Sequence, residues 1–363
     1  MKKLVILSLA VIMIAACAPS VFAAATDIQF SGYTWFRETG NNKVFGNAQT
    51  NTSKASIERS YLTWKLKYED NLEGNLTLDI PMKAANTSNS DWTTLIKYAY
   101  VDVKNVLPED GFARIGVQPV YFAMLDKWSY PMIYKPLEDN LGLLSSADLG
   151  FSLQGTILGG LADYQVGAFG GNGYSKPTET DNNVATDISM TMYPTPGLSV
   201  RGSLYNSMVS PSDASNEAGS ITGKWYNGVA VNYYYGPLWF MWEGIEGMKP
   251  NTTSYADSYK VSGNSKMVMW TVNDRWDLGL REDVFNPDVN NDIAGDSTAT
   301  AASDMMVYGA NYHWADDLLV QLNYSKTTFD GGNQDVADPK KPFTQGSNKY
   351  TQYETIMQVK WSY

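Results

Sequence analysis

Residues 58–80 read ERSYLTWKLKYEDNLEGNLTLDI. Leu62, Trp64, Leu66 and Tyr68 fall on one side of an extended chain, and Arg59, Tyr61, Thr63, Lys65 and Lys67 on the other. A tight Glu69-Asp70-Asn71 turn follows. The return segment sets Leu72, Leu76, Leu78 and Ile80 against Glu73, Asn75, Thr77 and Asp79. Successive side chains of a strand point to opposite faces, so the stretch reads as an antiparallel hairpin with one apolar and one polar face.

The same device runs to the C-terminus. Leu149, Phe151, Leu153 and Ile157 alternate with Asp148, Ser152, Gln154 and Thr156. Ile188, Met190 and Met192 alternate with Asp187, Ser189, Thr191 and Tyr193, and Leu198, Val200 and Leu204 with Ser199, Arg201, Ser203 and Tyr205. From 221 to 235 the odd positions carry Ile221, Trp225, Val229, Val231, Tyr233 and Tyr235. Asn227-Gly228 is a hairpin-turn dipeptide, but the phase does not change across it, so the segment reads as one strand. Trp276, Leu278 and Leu280 oppose Asp277, Arg281 and Asp283, and Leu318, Val320, Leu322 and Tyr324 oppose Gln321, Asn323 and Ser325. The last segment sets Met357, Val359, Trp361 and Tyr363 against Gln358, Lys360 and Ser362.

Short connections fall near 69–71, 104–111, 158–161, 194–197, 236–237, 273–274 and 315–317. Long polar ones fall near 39–55, 82–92, 120–147, 171–183, 207–218, 248–263, 286–303 and 330–349. Strict alternation of the two kinds implies 16 strands with both termini on the short-turn side. Strands of about 9–11 residues suffice to cross a bilayer when tilted, whereas soluble strands average five or six. Tyr68, Tyr193, Tyr233, Tyr235, Trp239, Trp276, Trp314, Trp361 and Tyr363 sit beside short turns. There an aromatic ring with a polar handle suits a membrane interface. In hydrocarbon every backbone polar group must be paired within the protein, so a sheet there closes on itself. The expected fold is all-β: a transmembrane antiparallel β-barrel over residues 26–363, with long extracellular loops and short periplasmic turns, in the bacterial outer membrane.

Composition removes other classes. Charged residues are 18%, below the roughly 25% of soluble proteins. Aromatics reach 13%, far from a disordered composition. One Cys excludes a disulfide scaffold and any multi-Cys metal site, and one His excludes multi-His sites. The −11 charge argues against nucleic acid. Met1-Lys2-Lys3, an apolar run from Leu4 to Ala16 and the Ala23-Ala24-Ala25 site read as a signal peptide over residues 1–25. Its removal takes away two lysines and no acid, moving the charge from −11 to −13, and also removes Cys17. A rival reading has Cys17 lipidated, since Ile14-Ala15-Ala16-Cys17 loosely fits a lipoprotein signal.

Four stretches resemble the phosphate-selective porin O/P-like family. They are Tyr98-Ala99-Tyr100-Val101-Asp102, Ala113-Arg114-Ile115-Gly116-Val117-Gln118-Pro119, Asp148-Leu149-Gly150-Phe151, and the 164–173 run YQVGAFGGNG. The C-terminal Val359-Lys360-Trp361-Ser362-Tyr363 resembles the aromatic-ended signal read by the barrel-assembly machinery, with Val359, Trp361 and Tyr363 as its residues. The resemblance implies a porin barrel, an inward-folded loop and a homotrimer.

A 16-stranded barrel leaves an aqueous lumen, which the polar face must line. Candidate lining cations are Arg59, Lys65, Lys67, Arg114, Arg201, Arg275 and Arg281. Candidate anions are Glu73, Asp79, Asp102, Asp148, Asp187, Asp277 and Asp283. The 120–147 segment, with Tyr121, Phe122, Trp128, Tyr130 and Tyr134, is too aromatic for a freely solvated loop. It is expected to fold into the lumen and bring Asp126, Lys127, Lys135, Glu138 and Asp139 to a constriction; capping from outside is the alternative. Two lysines against three acids on that loop speak against a dedicated phosphate channel, and the acidic balance hints at a weak cation preference.

No cofactor or metal is expected. Asp288, Asn290, Asp292 and Asp296 lack the glycine and closing Glu of a calcium loop, with Ile293 and Ala299 standing there. A hydrolase would depend on His313 alone, without a G-x-S-x-G elbow. The leading expectation is a non-enzymatic porin passing small hydrophilic solutes or ions, with outer-membrane lipid around it. The alternative is a scaffold barrel plugged by a periplasmic partner such as a cytochrome conduit.

Overall fold

The computed structural model describes residues 27–45, 48–68, 70–81, 94–129, 131–175, 184–207, 224–250, 258–286, 302–330 and 350–363. The expected signal peptide, Cys17 and the 288–296 acidic run lie outside these. Sixteen strands follow in order: β1 Asp27–Phe45, β2 Ala48–Tyr68, β3 Leu72–Pro81, β4 Leu95–Leu107, β5 Gly111–Pro119, β6 Ala147–Ile157, β7 Ala162–Phe169 and β8 Ala185–Thr195. Then come β9 Leu198–Ser207, β10 Lys224–Tyr235, β11 Leu238–Pro250, β12 Ser258–Asn273, β13 Trp276–Asn286, β14 Ala302–Ala315, β15 Leu318–Asp330 and β16 Tyr350–Ser362. One helical turn, α1 (Leu137–Asn140), interrupts the connection between β5 and β6.

Each strand pairs antiparallel with its sequence neighbours, and β1 pairs with β16 from Tyr33↔Ser362 to Val44↔Thr351. Closure leaves no edge, so the ladder satisfies its own N–H and C=O groups. The alternation read from sequence sets the faces: Ile188, Met190 and Met192 are exposed outside, while Asp187, Ser189 and Thr191 are buried inside. Asn227 and Gly228 lie mid-strand in β10, paired with Glu246 and Ile245 of β11 respectively, and make no turn.

Three details differ from the sequence expectation. Within the expected 248–263 connection residues 258–263 already pair with β11, from Ser258↔Pro250 to Gly263↔Ile245, and residues 39–45 and 48–55 are strand and not loop, with β1 and β2 paired through Lys43↔Thr50 to Phe45↔Ala48. The ladder there runs past the apolar band, so both faces meet water and carry polar residues, with Thr39, Thr50 and Thr52 retaining β preference. Trp239 and Tyr193 do not join the outer girdle. Trp239 Nε1 donates to Asn232 Oδ1 at 3.1 Å and Tyr193 OH to Asp163 Oδ2 at 2.6 Å, both on the inner side. Finally, the inner wall is not uniformly polar. Tyr205, Tyr226, Ala230, Met241, Ile245, Val261, Met267, Phe285, Met305 and Val307 face inward and form one buried cluster with the 120–146 segment.

The outer surface is asymmetric. Tyr233, Tyr235, Trp270, Trp276, Trp314, Trp361 and Tyr363 are exposed near the short turns from β10 to β16, with Phe30 beside them on β1. From β3 to β9 the exposed large side chains are aliphatic, among them Ile96, Val101, Leu149, Val166, Ile188 and Leu204.

Candidate functional site: a loop pinned across the lumen

The segment between β5 and β6 is closed at its base by Val120 N–H donating to Ser146 O at 3.2 Å. From there it crosses the barrel and returns. Tyr121 N–H donates to Asp187 Oδ2 at 2.9 Å on β8, and Ala123 N–H to Ser203 Oγ at 3.1 Å on β9. Asn311 Nδ2 on β14 donates to Pro131 O at 2.8 Å. Tyr134 OH meets Ser325 Oγ at 2.6 Å on β15 and donates to Glu354 Oε2 at 2.5 Å on β16. Burial, reinforced by the Glu354 carboxylate, pushes the Tyr134 phenol well above its usual range, so it stays a donor.

Apolar contacts share the work, and inward glycines make room for them. A Cβ on Gly228 (β10) would stand 2.7 Å from Phe122 Cζ, and one on Gly263 (β12) 2.8 Å from Leu137 Cδ2. Added to Gly279 (β13) or Gly309 (β14), it would meet Met132 Cε at 2.9 or 2.6 Å. Four inward-facing notches on β10, β12, β13 and β14 thus seat the loop's Phe, Leu and Met side chains. Phe122, Met132 and Leu137 are fully buried in consequence.

The expected constriction residues separate into two groups. Asp126 pairs with Arg201 on the wall, and Arg201 also donates to Ala123 O at 3.2 Å and Thr191 Oγ1 at 2.8 Å. Lys127 is exposed and lines a cavity of about 680 Å³ with Tyr121, Gln154, Ser189 and Thr191. Lys135 and Asp139 pair at 3.0 Å and stay partly exposed. Glu138 does not face open space: it is fully buried against β11.

Most expected lining residues lie on the inner wall but are bound to partners. Arg59 contacts Asp79 at 3.3 Å and donates to Tyr61 OH at 2.8 Å. Arg114 holds Asp102 through two bonds of 2.6 and 2.8 Å. Arg281 holds Asp283 through two bonds of 2.7 Å and donates to the loop carbonyls of Lys135 at 2.8 Å and Tyr134 at 3.3 Å. Asp148 accepts from Leu149 N–H at 2.8 Å and Gly171 N–H at 2.7 Å. Lys65, Lys67 and Glu73 border a second recess near the short-turn rim, where Glu73 pairs with Lys104 at 3.2 Å. Arg275 departs from the expectation: it sits in the 274–275 turn, exposed, against Tyr312 OH at 3.3 Å. His313 Nε2 contacts Asp277 Oδ2 at 2.7 Å at the same rim. At the seam, Tyr363 N–H donates to Gly32 O at 2.9 Å and Gly32 N–H to Tyr363 O at 2.8 Å. Val359 and Trp361 point outward on β16 opposite Val320 and Leu318.

Sequence reasoning missed Arg37, Lys97, Glu58 and Glu354. Arg37 contacts Glu58 at 3.0 Å and donates to Gln358 Oε1 at 2.7 and 2.9 Å. Lys97, a bulged residue on β4, bonds Ser146 Oγ and stands 4.2 Å over the Tyr174 ring, whose OH donates to Asp79 Oδ2 at 3.0 Å. Arg59, Asp79, Lys135 and Asp139 are all within electrostatic reach of Lys97. Arg37, Arg59, Lys97 and Lys135 therefore face Glu58, Asp79, Asp139 and Glu354, a balanced set.

Solved structures share this architecture. The DcaP outer-membrane channel of Acinetobacter baumannii matches with a TM-score of 0.66 and 13% identity, over 94% of this chain and 99% of that one. An anion-selective porin from Comamonas acidovorans matches with a TM-score of 0.63 and 10% identity, over 93% and 99%. A trimer form of OmpT, an outer-membrane protein of Vibrio cholerae, matches with a TM-score of 0.58 and 13% identity, over 94% and 100%. No protein-family model matches the chain, and no curated protein matches it. The fold is that of outer-membrane porins, and a closed 16-stranded barrel with an apolar exterior places the chain in the bacterial outer membrane. The phosphate-selective subgroup suggested by the sequence finds no counterpart in these matches.

Proposed function

We propose that the chain is a passive diffusion channel for small hydrophilic solutes or ions, performing no chemistry. The observation that carries this is the loop pinned across a wide barrel, with the pair Lys135 and Asp139 still partly exposed near Arg59 and Asp79 of the wall. A lumen of 16 strands is too wide for strand side chains to fill, and such a loop reduces it to a charged passage. Four cations against four anions around that passage favour weak charge selectivity, in place of the cation preference suggested by net charge. Planar-bilayer recording tests both parts. Stepwise channels with a reversal potential near zero in a KCl gradient are expected; membranes that stay closed with folded protein would sink the proposal.

We also infer a homotrimer bounded by lipid, with the barrel-assembly machinery reading Val359, Trp361 and Tyr363. The aliphatic face from β3 to β9 supports a subunit contact there, because a surface meeting both lipid interfaces would carry the Trp and Tyr seen from β10 to β16. The trimer form of the Vibrio cholerae protein agrees with this reading.

A further inference from the structure

The loop meets the wall through apolar contacts, hydrogen bonds and the charged groups Asp187, Arg201, Arg281 and Glu354, and at α1 two carboxyl groups meet. Glu138 of the loop and Glu243 of β11 have no solvent exposure. Glu243 Oε1 accepts Leu137 N–H at 3.0 Å. The remaining oxygens, Glu243 Oε2 and both of Glu138, meet no N–H or O–H donor among the described residues. Because Glu243 Oε1 binds the N–H of Leu137, the residue that precedes Glu138, the two buried carboxyl groups sit at the same turn of the loop against β11.

Nearby cations are committed elsewhere. Arg281 of β13 spends its guanidinium on Asp283 and on the carbonyls of Tyr134 and Lys135, and Lys135 is held by Asp139. On β12, the cross-strand neighbour of Glu243 is Ser265, whose buried Oγ has no partner; on β10 it is Ala230. The charged and titratable groups around the pair are thus Arg281, Asp283, Lys135 and Asp139, with no unpaired positive charge among them. Two bare carboxylates cannot bond each other, and two buried like charges repel strongly. A carboxylic acid donating to a carboxylate satisfies both.

We propose that Glu138 and Glu243 share one proton, and that this carboxyl–carboxylate bridge positions the 136–144 turn of the loop on β11. They are positioning residues for the passage, not part of its lining. Burial, with the Glu243 carboxylate as the next cause, holds the Glu138 carboxyl well above the usual carboxylate range. The sign follows: a carboxyl whose folded pKa is raised favours docking at low pH, and docking weakens as pH rises from the ordinary value toward the raised one. Above the raised value the second charge appears, the turn leaves the wall, and the passage changes.

The conductance consequence rests on the diffusion-channel reading, so the test has one arm that does not. Infrared titration of the folded barrel in detergent reads the carboxylic-acid C=O band directly. In wild type a band belonging to the pair is expected to survive above the ordinary Glu value of about 4.3 and to disappear only at higher pH. Glu138→Gln and Glu243→Gln should each lose it, because the amide supplies the hydrogen bond without a titrating proton. In bilayers wild-type conductance should change over the same pH interval in which the band disappears, and both amide variants should lose the change while keeping the acid-side conductance. A band that titrates at the ordinary value, or that persists in both variants, overturns the proposal. So does absence of the band together with sensitivity to EDTA, which would mean a bridging cation. Should the variants fail to assemble, the wild-type titration decides alone. A normal band without any conductance would leave the shared proton standing and sink the channel reading instead.

Discussion

Phe122 shows how a single side chain ties loop to wall. Its ring is fully buried, and Gly228 opposite has no side chain to obstruct it. Phe122→Ala is expected to remove about 3–5 kcal/mol of docking energy, the usual cost of emptying an aromatic site. Limited proteolysis of the folded barrel would detect it as faster cleavage within 120–146; unchanged protection would show that the ring does not anchor the loop. Gly228→Val should do the same by filling the seat instead of vacating it. Arg281 acts through polarity. It is fully buried, neutralises Asp283 and holds two loop carbonyls, so Arg281→Ala leaves a buried carboxylate without its partner and two carbonyls short of a donor. A loss of about 3–5 kcal/mol is expected, read as a lower unfolding midpoint in denaturant.

The strands carry a different logic, because neighbouring positions look into different solvents. Leu322 on β15 faces outward and half exposed, while Ser189 on β8 faces inward at the 680 Å³ cavity. Leu322→Lys is expected to cost about 2–4 kcal/mol at mid-membrane depth, whereas Ser189→Lys should be tolerated and alter only conductance. Equal destabilisation of the two would contradict the assignment of faces. This inside–outside code was legible residue by residue, since the pleat enforces period two without help from distant contacts. It failed where both sides meet water, as at residues 39–45 and 48–55, since there polarity stops distinguishing strand from loop. The four glycine notches left a faint trace. Gly228, Gly263, Gly279 and Gly309 all stand at inward positions, on β10, β12, β13 and β14, but nothing local says which side chain fills each one.

For the whole molecule the question is which surface meets lipid and which meets another copy. Ile115→Lys on β5 is expected to yield a folded monomer if the β3–β9 face is the subunit contact, and an unfolded chain if that face meets lipid. Heat-modifiable gel mobility reports folding, and light scattering in detergent reports assembly. The alternation of apolar and polar residues by itself determined the sheet, its closure, the strand number and the sense of each face, because all of these follow from a repeating local geometry and the cost of unpaired backbone in hydrocarbon. Tertiary structure alone decided which inward residues line water and which lie hidden beneath the loop. It also decided that Arg201 and Arg281 serve as anchors, and that Glu138 meets Glu243. Those outcomes depend on contacts between residues 75 to 147 positions apart, whose energies are set by burial and mutual charge and leave no periodic mark on the chain.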